Sequence, residues 1–234
     1  MDSKNFLKNK RKKHRNPGKY QDNFSIKKKN NNIFILHSCR LLEAYYNNEG
    51  ITALVLDAEK MNTTNTLLKL GPILKKVIIV ENNKETYNKM SEKINIYDLD
   101  KVEIHNCLMD TYLREYLNPK INVVYFDLNE NFFTSERSYG SDYAINFFLE
   151  KSEAKEIILA ATFCLRSIHS GKYDLQEKKI LLLLEKIFIV NGFDSKKLIS
   201  EKDMRYRGQK GLNKALMFVL YCLKRNENEI KFHL

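Results

Sequence analysis

The 234-residue sequence predicts an α/β protein built on a mostly parallel sheet that ends in an antiparallel hairpin. Three observations predict it. Five apolar, strand-sized runs alternate with helix-sized segments. Acids follow four of those runs directly or closely: Asp57, Glu81, Asp110 and Asp127. Two further apolar runs close the chain with no helix between them.

The elements follow in order. Ile33 to Tyr46 has a broad apolar face at helical spacing (Ile33 to Leu36, Cys39, Leu41, Leu42, Tyr45), and Asn47-Asn48-Glu49-Gly50 stops it. Thr52 to Leu56 is a continuous apolar run, the pattern of a strand buried on both faces. Thr63 to Leu70 reads as a short helix, with Asn62 or Thr63 as N-cap and Gly71-Pro72 as its end. Strands are predicted at 76–80, 102–106, 123–126 and 156–163, and helices at 84–93, 143–151 and 178–191. Gly192 closes the last helix. The closing strands are Lys197 to Ser200 and Ala215 to Tyr221, joined by the polar segment Asp203 to Gly211. There is no internal repeat and no second domain.

Charge is unevenly placed. Residues 1–29 hold eleven Lys or Arg against Asp2 and Asp22, which accounts for most of the net +11. The rest of the chain is close to neutral. Residues 1–32 are therefore read as a basic, flexible N-terminal arm and 33–234 as the folded domain. Lys8 to Arg15 contains no apolar residue, so it cannot bury surface to offset its ordering entropy. Such a run contacts phosphates by releasing counterions. Lys10, Arg11, Lys12, Lys13, Arg15, Lys27, Lys28 and Lys29 are the predicted nucleic-acid contacts. Arg205 and Arg207 in the polar closing segment are predicted to add a phosphate-binding edge.

Other classes lack their signatures. No apolar run approaches the roughly 18 residues of a membrane span, and the basic start has no apolar core of a secretory signal. A soluble, intracellular protein with no membrane partner is expected. Cys39, Cys107, Cys164 and Cys222 are too widely spaced for a zinc module and read as buried small hydrophobes. No two of the five histidines stand at metal-ligand spacing, and His105 reads as a satisfied core residue. Motifs of serine hydrolases, P-loop nucleotidases and dinucleotide-binding enzymes are absent.

Ligands of such sheets bind beyond the carboxyl ends of the strands, where strand order reverses. The element order, the strand-end acids and the closing hairpin over residues 33–225 resemble the class I S-adenosylmethionine-dependent methyltransferases. That resemblance implies a single Rossmann-like domain in three α/β/α layers. It also implies S-adenosylmethionine as cofactor. Leu54 to Ala58 matches the strand and acid of the family's first motif, which puts Asp57 and Thr63 beside the cofactor. Glu81 matches the acid that takes the ribose hydroxyls, Asp110 the region beside the adenine, and Asp127 the place where methyl group and acceptor meet. The implied activity is methyl transfer to a nucleic acid, RNA more than DNA, with Asp127 as the catalytic residue.

Two features depart from the family. The first loop, Ala58 to Asn65, has no glycine, and Asp127-Leu128-Asn129-Glu130 lacks the prolines of adenine amino-methyltransferases. A domain that has lost its cofactor and serves as a nucleic-acid-binding or assembly subunit is the alternative reading.

Overall fold

The computed structural model describes residues 26–47, 49–127, 132, 140–165, 173–207 and 215–226. The strands are β1 Ile51–Val55, β2 Leu74–Val80, β3 Val102–His105, β4 Val123–Phe126, β5 Glu156–Leu165, β6 Phe193–Lys197, β7 Arg205–Arg207 and β8 Ala215–Arg225. They form one sheet in the order β3-β2-β1-β4-β5-β8-β6, with β7 also on β8. The first five strands are parallel, and β8 runs antiparallel to β5, β6 and β7.

β1 lies between β2 and β4, so strand order reverses there. The runs read as doubly buried are so: β4 is buried throughout, and Ile157 to Ala161 of β5 have no solvent exposure. β6 is an edge, and its Asp194, Ser195, Lys196 and Lys197 are exposed, which discourages further strand pairing.

The helices are α1 Ile26–Cys39, α2 Glu43–Tyr46, α3 Asn62–Leu67, α4 Lys84–Ile96, α5 Met109–Glu115, α6 Ser141–Lys151, α7 Tyr173–Val190 and α8 Glu201–Met204. They cover the sheet to give three α/β/α layers. Several differ from the sequence expectation. The helix expected over 33–46 starts at Ile26 and breaks after Cys39, so Lys27 to Asn32 belong to a helix that packs on the body. Its buried face repeats at helical spacing through Asn31, Asn32, Ile35, Ser38 and Cys39. The helix expected over Thr63–Leu70 becomes 3₁₀ from Leu68, because Gly71 at φ 63 turns the chain before β2. α5 was not expected. Seven residues hold three buried side chains, Met109, Tyr112 and Leu113, too few to set a period. The closing strand expected at Lys197 lies earlier, at β6, and α8 stands where no helix was expected.

Fourteen residues make α1 about 21 Å long, and it runs from the carboxyl ends of the strands toward their amino ends. Its first turn meets the carboxyl end of β4. Beyond its last turn, the Glu43 N–H donates to Glu156 Oε2 at 2.5 Å, at the amino end of β5. Lys224 balances Glu156 from β8.

Candidate functional site

The carboxyl ends of β1, β2 and β4 bring Asp57, Glu81 and Asp127 to one edge of the sheet, on both sides of the strand reversal. Each stands where a parallel strand stops and its chain must turn; Asp57 and Glu81 accept backbone N–H groups of the segments that follow, and Asp127 accepts from Lys28.

Asp57 folds onto the turn that follows it. Oδ1 accepts the Ala58 N–H at 3.2 Å, and Oδ2 accepts the Thr64 N–H at 2.8 Å in the first turn of α3. This corrects the expected cap. Met61 stands at the N-cap position with no side-chain bond, and Asp57 caps the helix from the strand end instead. Met61 also takes the left-handed conformation, φ 52 and ψ 41, that a glycine would ordinarily supply. Its side chain is buried in the core, 2% exposed. Glu59 turns outward: Lys89 Nζ reaches its carboxylate at 3.4 Å and Lys93 Nζ donates to its carbonyl at 2.7 Å. The glycine-free loop thus makes the sharp turn and clears its bulky side chains. Ala58, directly after the acid, carries only a methyl group.

Thr63 is buried and donates its hydroxyl to Asn32 Oδ1 of α1 at 3.4 Å. Glu81 is half-buried. Its Oε1 accepts the Asn83 N–H at 2.6 Å, and Asn83 in turn caps α4 through Thr86. Burial pushes the Glu81 carboxyl above its usual range, with hydrogen bonds from the Asn83 and Asn82 N–H groups opposing. Asn106, directly after β3, donates from Nδ2 to the Glu81 carbonyl at 2.8 Å. Asp110 lies further along, in α5. It is partly exposed and accepts from Arg114 Nε at 3.1 Å, while Arg114 Nη2 donates to the Tyr143 hydroxyl at 2.9 Å. The expected adenine-side acid is thus tied to its own helix, and Asn106 and Cys107 stand nearer the strand end.

Asp127 ends β4. Its Oδ2 accepts from Lys28 Nζ at 2.7 Å, with the two side chains only 14% and 32% exposed. Its Oδ1 is buried and has no hydrogen-bond partner among the described residues. Two more buried polar atoms in the adjoining elements are in the same state: Asn31 Nδ2 on α1 and Thr64 Oγ1 on α3. Buried polar groups are rarely left without a partner.

Three expected phosphate contacts, Lys27, Lys28 and Lys29, share the first turn of α1 but diverge. Lys27 reaches Asp203 at 3.7 Å, Lys28 takes Asp127, and Lys29 is exposed. Arg205 and Arg207 lie on β7 at the register of Met217 and Ala215. Lys10, Arg11, Lys12, Lys13 and Arg15 lie outside the described residues. The sequence reading missed the polar inner face of α1. The signal was the spacing of Lys28, Asn31 and Asn32, which continues the buried stripe of Ile35 and Cys39 one turn upstream. His105 is held by Glu103 at 2.5 Å and by the rings of Tyr112 and Tyr116, so it is satisfied as expected, but it is partly exposed and not in the core. Among the described residues no His, Cys, Asp or Glu cluster suits a metal ion, and no helix is long and apolar enough to cross a membrane.

This strand order, with a parallel sheet reversing at β1, is a Rossmann-like fold. Solved structures share it. A Pyrococcus horikoshii protein provisionally assigned as an RNA methyltransferase superposes with a TM-score of 0.55 at 16% identity, over 86% of this chain and 84% of that one. TYW2 from M. jannaschii in complex with AdoMet gives 0.52 at 14% identity, over 83% and 76%. A Klebsiella pneumoniae protein provisionally assigned as an O-methyltransferase gives 0.52 at 11% identity, over 84% and 80%. At such identities the likeness is one of fold. No family model matches the sequence, and no curated protein does.

Proposed function

We propose that the protein is an S-adenosylmethionine-dependent methyltransferase acting on a nucleic acid, with RNA the preferred substrate. The observation that carries this reading is the set of three carboxylates across the strand reversal, with Asp127 Oδ1 and Thr64 Oγ1 beside them unpartnered among the described residues. The residues fit the cofactor. Glu81 offers acceptor oxygens for two ribose hydroxyls. Ala58 adds only a methyl group to the first loop, and Glu59 turns toward Lys89 and Lys93. Asn106 and Cys107 border the position of the base.

When bound, the cofactor supplies an electrophilic methyl group on a sulfonium, ready for direct displacement. The chain's own part is alignment. Glu81 anchors the sugar. Asp57 keeps the first loop in its turn through Ala58 and Thr64. Asp127 accepts a hydrogen bond from the methyl acceptor at Oδ1 and so orients its lone pair, while Lys28 holds the carboxylate in place at Oδ2. The basic residues of the N-terminal segment add affinity for phosphates without reading sequence.

Thermal melting with S-adenosylmethionine and with S-adenosylhomocysteine tests the cofactor half. A ligand at one hundred times its Kd stabilises by about 2.7 kcal/mol, which at this length raises Tm by about 5–10 °C. The shift is expected in the wild type and absent in Glu81→Ala. One observation favours a second reading, a cofactor-less nucleic-acid-binding subunit. Asp57 already occupies the Thr64 N–H at the start of α3, where a cofactor carboxylate would seek a donor. No shift with either ligand would support that reading instead.

A further inference from the structure

The first turn of α1 has a second side. Between α1 and α3 runs a groove of about 230 Å³ lined by Lys29, Ile33, Asn62, Asn65, Thr66 and Lys69. The geometry points to a subsite for one nucleotide of a single-stranded nucleic acid, flanking the residue presented to Asp127. This deepens the nucleic-acid half of the proposed function and rests on it.

Four observations carry it. The groove has no acidic residue in its lining, and neither Lys29 nor Lys69 has an ion pair among the described residues. By contrast, Lys27 and Lys28 in the same helical turn as Lys29 meet carboxylates. Between the lysines lies Ile33, a large apolar side chain that is 37% exposed. Two cations about an apolar floor, with the Asn65 amide oxygen beside it, offer phosphate neutralisation, a face for a base and a polar group for its edge. The volume falls below the roughly 300–1,000 Å³ that encloses a free small-molecule ligand, so it suits one unit of a longer chain.

Connectivity fixes the direction. Lys29 follows Lys28, whose ammonium lies on Asp127, so the groove and the candidate catalytic carboxylate flank the same helical turn. Residues 1–25, with eight Lys or Arg against two acids, enter the fold at that turn. A strand held by Lys29 and Lys69 therefore leaves the groove beside Asp127.

The test uses the full chain and a fluorescent 12-nucleotide oligouridine RNA, with the matching DNA as a second probe. Anisotropy titrations at several salt concentrations compare wild type with Lys29→Glu/Lys69→Glu and with Lys29→Ala/Lys69→Ala. Both pairs are exposed, so both variants should melt as wild type does. The expected result is at least tenfold weaker binding for the glutamate pair. The alanine pair should lower the slope of log affinity against log salt by about 1.4, two phosphates at about 0.7 each. Crosslinking with 4-thiouridine RNA should mark a peptide within 26–33 or 62–69. Equal loss for RNA and DNA supports a site that reads phosphate and base face alone. Affinity and salt slope within twofold of wild type in both variants, or crosslinks only outside those peptides, would overturn the subsite. The S-adenosylmethionine shift separates the two ideas: it should persist in both variants, and its absence from the wild type would count against the cofactor reading while leaving the groove result standing.

Discussion

Lys28 Nζ lies 2.7 Å from Asp127 Oδ2, joining the first turn of α1 to the carboxyl end of β4. A charge mostly withdrawn from water needs its partner, because the desolvation cost remains when the attraction is removed. Lys28→Ala should therefore destabilise the fold. Full burial would cost about 3–5 kcal/mol, but Lys28 is one-third exposed, so solvent screening reduces this to about 1–2 kcal/mol. At this length Tm falls by about 2–4 °C for each kcal/mol. Asp127→Asn removes the charge that needs pairing, so the double variant should recover part of the loss. A strictly additive double-mutant cycle, measured by urea unfolding, would show that the contact carries no coupling energy.

The same contact shows where sequence reading stops. Buried strands such as Val123 to Phe126 are legible because both faces are covered and the apolar run is unbroken. The strand-end acids Asp57, Glu81 and Asp127 are legible for the same reason, each following such a run. α1 was harder. Its inner face begins with Lys28, Asn31 and Asn32, and a polar buried stripe looks like a solvated arm until the helix is extended upstream. The cap on α3 was illegible for a different cause. Asp57 and Thr64 are seven residues apart, and only the left-handed turn at Met61 brings them together. α5 was missed because a seven-residue helix under an edge strand has too short a period to recognise.

Gly50 prepares the entry to β1 with φ 92. An alanine there meets two penalties: the positive φ, and a Cβ that would lie 2.3 Å from Lys75 Cγ. The lysine chain can move, but the backbone cannot relax without shifting β1 against β2. Gly50→Ala should cost about 1–3 kcal/mol, read as a lower urea midpoint with an unchanged slope. Lys75→Ala in the same background should relieve only the steric share, since the φ penalty remains.

The cysteines should differ in reactivity. Cys39 is fully buried, and burial pushes its thiol up to about 12. Cys222 is 7% exposed and also raised by burial. Cys107 is partly exposed, and burial and Glu115 raise it more gently. The thiolate is the reactive form. A chromogenic disulfide reagent at pH 8 should therefore modify Cys107 in the native protein and spare Cys39 and Cys222 until denaturant is added. Peptide mapping after alkylation of the native protein checks this, and early labelling of Cys39 would contradict its burial on the inner face of α1.

Glu81 should show opposite pH trends in stability and in cofactor binding. Its carboxyl is raised above 4.5 in the fold, chiefly by burial. Between 4.5 and the raised value the native state holds more protons at this site than the unfolded chain. Stability therefore falls as pH rises through that window. Glu81→Gln keeps an acceptor for the Asn83 N–H and removes the buried charge, so its Tm relative to wild type should rise from pH 4.5 to pH 8. Ribose binding needs the ionised form, whose oxygens only accept. The S-adenosylmethionine shift in wild type should accordingly grow over the same window, and Glu81→Gln should lose it at every pH. Parallel trends in the two quantities would mean that Glu81 is a structural turn residue whose charge the ligand does not use.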